Sequence, residues 1–249
     1  MRRISALALL SFACALAGCG ATTVDAKLPP PGVPGPLSFI VSEKDSGPVS
    51  LVFPGRSAPT DDVTLGIRET AIRIAERAGG SVALMSWKVY PQAKEWIKRQ
   101  VAKRRASGER GRLALVGHSW GGQAAGAMAT ELLNENAVDE VSALVTIDAI
   151  KKGYLKCTLA WFLAFFSADS IDAMAFVDTP RPDGKRLKRH INYYQLSSPV
   201  LRGCPIDTAD ENHEVWFDYG DELGHGNLDN YICSLVAEDL RRAFMEGGE

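Results

Sequence analysis

Arg112-Leu113-Ala114-Leu115-Val116-Gly117-His118-Ser119-Trp120-Gly121-Gly122 is the stretch on which the reading of this 249-residue chain turns. Arg112 to Val116 is a short apolar run of strand length, and the alanine-rich stretch from Gln123 to Leu133 reads as helix. Between them, Gly117-His118-Ser119-Trp120-Gly121 fits the G-x-S-x-G pattern of a nucleophile elbow, a strained strand-to-helix turn that lifts a serine oxygen clear of a sheet. Such a turn crowds its neighbours. Side-chain-free positions 117 and 121 relieve the clashes, and Gly122 and Ala125 let the helix approach the sheet closely. The bare pentapeptide also reads as an ordinary glycine-rich turn, so its weight comes from the strand before it and the helix after it.

The same alternation extends in both directions. Val49 to Phe53 reads as a buried strand closed by Pro54-Gly55. Asp61 to Ala78 follows as a helix with Ile67, Ala71, Ile74 and Ala78 on one face, ended by Gly79-Gly80. Ser81 to Trp87 is the next strand, and Gln92 to Arg105 the next helix, with Ala93, Trp96, Ile97 and Val101 on one side. Beyond the elbow, Val141 to Ile147 is a strand ending at Asp148, and Ile191 to Gln195 a shorter one. Leu228 to Met245 is a final helix carrying Ile232, Leu235, Val236, Leu240 and Phe244 at helical spacing. Strands alternating with helices predict an α/β fold, a mainly parallel sheet with helices on both faces, over residues 48–249. The length suits one domain with a full core.

With the elbow in this context, the chain resembles the α/β-hydrolase superfamily of lipases and esterases, from about Val49 to the last helix. In that family the chain order of catalytic groups is serine, acid, histidine. The resemblance implies Ser119 as nucleophile and His225 as general base, the latter in the Gly224-His225-Gly226-Asn227 loop just before the last helix. Of the other histidines, His118 is the elbow's variable residue and is expected to point away from the serine oxygen, His190 lies in a basic cluster, and His213 lies among acids in an expected surface loop. Asp148 resembles the acid that some lipases of the family place after this strand, and it is preferred because it follows its strand directly, whereas the later acids trail theirs by a long loop. The more usual position, after the following strand, points to Asp207 or Asp210. An aspartate just beyond a strand can also be simply a helix N-cap. The oxyanion donors implied are the backbone N–H groups of Trp120 and, from the loop after Phe53, Arg56, since Pro54 has none. Here Pro54-Gly55-Arg56-Ser57 stands where the family usually has a His-Gly pair.

The N-terminus carries an address. Arg2 and Arg3 precede an apolar stretch from Ile4 to Leu16 that is too short to span a bilayer as a mature helix, so residues 1–18 read as a targeting peptide. Leu16-Ala17-Gly18-Cys19 resembles the lipobox of bacterial lipoproteins, which implies cleavage before Cys19 and lipid on that cysteine. The plain alternative is an ordinary signal peptide with an incidental cysteine. Gly20, where an aspartate would argue for inner-membrane retention, favours the outer membrane if the cell is Gram-negative, and a cell-envelope location in general. Residues 19–47, with Pro29-Pro30-Pro31-Gly32, Pro34 and Pro36, are expected to form an extended tether.

A net charge of −2 gives no concentrated basic face for nucleic acid, and the cluster Lys185-Arg186-Leu187-Lys188-Arg189-His190 reads as solvated surface. Cys157 and Cys204 are a candidate disulfide in an oxidising compartment, with three free thiols as the alternative; Cys233 reads as core. Residues 151–190, with the apolar run Leu159 to Phe166, are a candidate lid, membrane-dipping segment or buried helix. No metal or organic cofactor is implied. The expected substrate is an ester or lipid-like small molecule. The same groups would serve a thioesterase, acyltransferase or peptidase, and a catalytically silent fold could act as an envelope binding protein.

Overall fold

The computed structural model describes residues 2–4, 38–55, 65–149, 186–196, 203, 205–216 and 228–246. Its strands are β1 (Arg2–Ile4), β2 (Ser38–Ser42), β3 (Val49–Phe53), β4 (Ser81–Met85), β5 (Arg112–His118), β6 (Glu140–Ile147), β7 (His190–Tyr194) and β8 (Glu211–Val215). Its helices are α1 (Leu65–Arg77), α2 (Tyr90–Ala106), α3 (Trp120–Asn134) and α4 (Leu228–Glu246). One sheet has the order β1-β8-β7-β6-β5-β3-β4-β2, parallel throughout except for antiparallel β2 at the edge. The α/β architecture expected from the alternation is therefore present.

Strands β3, β4 and β6 are buried along their whole length. This is why they read as continuous apolar runs and not as alternating ones: helices cover both faces. Alternate residues feed two cores. Val49, Leu51 and Phe53 pack with Trp96, Ile97 and Met128 of α2 and α3, whereas Val52, Val82 and Val116 pack with Ile67, Ile74, Ile232 and Val236 of α1 and α4. Cys233 is buried in α4, as its position in the helical pattern predicts.

The orientation of α4 matters for the site. Arg112, at the start of β5, donates to the carbonyl of Phe244, and Arg189, just before β7, pairs with Glu246 at 3.5 Å. The end of α4 thus lies at the N-terminal edge of the sheet. The helix begins at the opposite edge, where β5 runs into Ser119.

Arg104, in the last turn of α2, is fully buried. Its Nε donates to Gly47 O at 3.0 Å, its Nη1 to Gln100 Oε1 at 3.2 Å and its Nη2 to Ser81 Oγ at 2.8 Å. These bonds tie α2 to the β2–β3 turn and to the start of β4, and they satisfy a cation that burial would otherwise make costly.

Several expectations need correction. The tether expected to reach residue 47 ends earlier, because Ser38–Ser42 is a sheet strand. Glu211–Val215 is also a strand, which the charged sequence ENHEV concealed, so His213 lies in β8 and not in a surface loop; its ring stacks on Tyr193 with centroids 5.0 Å apart. The basic cluster is largely structural. Arg186 Nη1 donates to Leu133 O at 2.9 Å and Asn136 Oδ1 at 2.8 Å, closing the C-terminal end of α3, while Leu187 and His190 are buried and Arg189 pairs with Glu211. The expected targeting peptide supplies β1 at the far edge of the sheet; β2 to β8 pair among themselves without it. Among the described residues, no helix is long and apolar enough to cross a membrane.

Candidate active site

Ser119 sits between β5 and α3 with φ 55° and ψ −123°, a left-handed backbone conformation that costs a non-glycine residue about 1–3 kcal/mol. The turn persists because its surroundings allow nothing else. A Cβ on Gly117 would lie 2.1 Å from Gly121 O, and one on Gly121 would lie 2.4 Å from Phe53 O. The two glycines of the pentapeptide therefore let strand, helix and the β3 loop meet backbone to backbone. Ser119 is left almost wholly buried, its N–H donating to Ile147 O at 2.9 Å.

Trp120 is the first residue of α3, so the helix directs its positive end toward the elbow, and no acidic residue in its first turn offsets that field. The loop after β3 lies alongside: a Cβ on Gly55 would come within 2.9 Å of Ser119 Cβ and 3.1 Å of His118 Nδ1. This is the place where the second oxyanion donor is expected, but Arg56 itself lies outside the described residues. On the other side of the elbow, Trp120 makes an edge contact with Trp87 at 5.6 Å between ring centroids, and Tyr90 stacks on Phe53 at 6.3 Å.

Asp148 follows β6 as Ser119 follows β5. His118 and Ile147 are register partners, so Ser119 and Asp148 leave neighbouring strands at the same level. Asp148 is fully buried and also has positive φ, 45°, a conformation aspartate tolerates better than most residues. Its carboxylate accepts from Gln195 N at 3.1 Å and Gln195 Nε2 at 2.8 Å. Asp207 and Asp210, the alternative acids, are exposed, and Asp210 lies at the opposite end of the sheet, where its Oδ2 accepts His190 N–H at 2.7 Å as β7 begins. The residue that does follow β7 at the Ser119 end is Gln195. Sequence reasoning passed over it, because a single glutamine after a strand carries no motif.

His190 is buried and contacts Thr146 Oγ1 at 3.2 Å through Nε2; His213 pairs with Glu211 at 3.1 Å. Both are engaged away from the elbow. His225, Cys19, Cys157, Cys204 and residues 151–185 of the expected lid lie outside the described residues. Among the described residues, no cluster of side chains could hold a metal ion.

No family model matches the chain, and no curated protein matches it. Its structure is similar to that of carboxyl esterase 2 from the mycorrhizal fungus Tuber melanosporum, with TM-score 0.50 and 13% identity over 83% of this chain and 81% of that one. It is likewise similar to a hyperthermophilic esterase from the archaeon Pyrobaculum calidifontis, with TM-score 0.51 and 13% identity over 82% and 78% of the two chains. A metagenome-derived lipolytic enzyme gives TM-score 0.50 and 15% identity over 86% of this chain and 99% of its own. At such identities the likeness is one of fold, and the fold is that of the α/β-hydrolases.

Proposed function

We propose that this protein is a serine hydrolase that cleaves carboxylic esters through an acyl-enzyme on Ser119, with His225 as general base and Asp148 as the acid that orients it. The observation that carries the proposal is Ser119 held at φ 55° on the strand–helix turn, with buried Asp148 level with it on the next strand. What supports His225 is its place in the chain, three residues before α4 begins at the Ser119 end of the sheet; three residues reach roughly 10 Å.

In this reading, His225 takes the Ser119 Oγ proton as Oγ attacks the ester carbonyl. The N–H groups of Trp120 and Arg56 stabilise the oxyanion, and the positive end of α3 adds to them. The imidazolium, stabilised by Asp148, returns the proton to the leaving alcohol. Water activated by His225 then hydrolyses the acyl-enzyme. Lipid on Cys19 would anchor the protein to a membrane of the cell envelope, and cleavage there would remove β1 but leave β2 to β8 whole. Lipid-like esters are then natural substrates.

The test is turnover of short- and long-chain p-nitrophenyl esters by the full chain in detergent, with fluorophosphonate labelling in parallel. Ser119→Ala abolishes both, and Asp148→Asn lowers kcat by about 10⁴-fold, the scale for losing a triad carboxylate. Asp207→Asn and Asp210→Asn keep wild-type rates. Turnover that survives Ser119→Ala overturns the proposal.

A further inference from the structure

We infer that Gln195 is the positioning residue of the site: its amide fixes the carboxylate of Asp148 in the orientation that an imidazole must meet. The inference rests on the serine hydrolase reading above. It starts from topology, since the strand ends of β5, β6 and β7 deliver Ser119, Asp148 and Gln195 in succession across one edge of the sheet. Ile147 and Tyr193 are register partners, and Asp148 N donates to Tyr193 O at 2.8 Å, so the chain segment carrying Asp148 is already bound to the end of β7.

Gln195 then grips the side chain twice. Its backbone N–H reaches Oδ1 at 3.1 Å and its Nε2 reaches Oδ2 at 2.8 Å, with both residues fully buried. A carboxylate only accepts, so the amide must present its NH₂ group to Asp148. One donor on each oxygen stops the carboxylate from rotating and fixes the plane in which it accepts. Gly203 completes the cradle: its N–H donates to Gln195 O at 3.1 Å, and a Cβ at that position would lie 2.2 Å from Asp148 Oδ1. Backbone from two segments therefore encloses the carboxylate on the side away from the elbow.

Two substitutions in the full chain test the role. Gln195→Met keeps the shape and deletes the donor; kcat and the rate of fluorophosphonate labelling fall together by about ten- to a hundredfold, the scale of one hydrogen bond to a charged group, while KM stays within about twofold. Melting temperature, read alongside, separates this from general loosening, which would lower stability without slowing the folded enzyme. Gln195→Glu sets a second carboxyl against Asp148. While protonated it can still donate; once ionised it repels, because two carboxylates at that distance do not both carry charge readily. The pH profile of kcat/KM therefore gains an ionisation on its alkaline side that the wild type lacks. A Met variant within about twofold of wild-type kcat, together with a Glu variant whose pH profile superimposes on the wild type, overturns the inference. If the wild type is labelled at Ser119 in that case, the hydrolase reading stands without it; an unlabelled wild type removes both.

Discussion

Gly117→Ala is the most informative perturbation of the elbow, because it adds one methyl group and no chemistry. The new Cβ would stand 2.1 Å from Gly121 O, 2.4 Å from Gly121 C and 2.5 Å from Gly122 N, where real Cβ atoms keep at least 3.0 Å. All three obstacles are backbone, so no side chain can swing aside. The first turn of α3 must move off β5 by about 1 Å, carrying Ser119 Oγ and the Trp120 N–H with it, and displacements of that size cost about 10²-fold in rate. Overpacking of this kind costs about 1–3 kcal/mol in stability, which leaves a folded protein to assay. The control is Gly108→Ala, where φ is +78° and no atom lies within 4 Å of the added Cβ. Backbone strain there costs about 1–2 kcal/mol and touches nothing near the elbow. Ester turnover and fluorophosphonate labelling, each per folded molecule, are the assays. Gly117→Ala is slow and Gly108→Ala is wild type at comparable loss of stability. Equal rates for the two variants would refute the claim that backbone contact at Gly117 sets the nucleophile.

Two further predictions concern the scaffold. Arg104→Ala removes the buried guanidinium that donates to Gly47 O, Ser81 Oγ and Gln100 Oε1, three bonds of about 1 kcal/mol each, and should lower the unfolding free energy in urea by about 3 kcal/mol; a loss below about 1 kcal/mol would show that the clamp is dispensable. Burial pushes the Glu211 carboxyl up, but Arg189 and His213 outweigh it and hold its pKa below the usual value. A depressed folded-state pKa contributes stability above the ordinary glutamate range, lost as pH falls through the depressed value. Unfolding free energy measured between about pH 6 and pH 2 should therefore fall less steeply in Arg189→Met than in the wild type, and unchanged slopes would contradict the pairing.

Ser119 was legible because its signal is local. The pentapeptide, its strand and its helix adjoin in the chain, and the clashes that demand Gly117 and Gly121 arise within the same turn or against the strand next to it. The long helices were legible for a related reason: a two-sided sheet forces an apolar stripe on each covering helix, and residues such as Ile67, Ile74, Ile232 and Val236 display it at helical spacing. The edges of the sheet were not. Strand β2 follows a proline-rich stretch, and β8 is built from Glu211-Asn212-His213-Glu214-Val215, whose pairing depends on the neighbouring strand and not on its own apolar content.

By itself, then, the sequence determined the α/β alternation, the elbow and its serine, because each is written in residues close together along the chain. Choosing among three aspartates needed the third dimension. Asp148, Asp207 and Asp210 all follow Ser119 in order, yet parallel strands bring Asp148 level with Ser119, while Asp210 stays where β7 begins. Only the tertiary structure could reveal Gln195, since its contact with Asp148 spans 47 residues and depends on the register of β6 against β7. Sequence periodicity reports which face of an element is buried; it says nothing about which strand ends become neighbours.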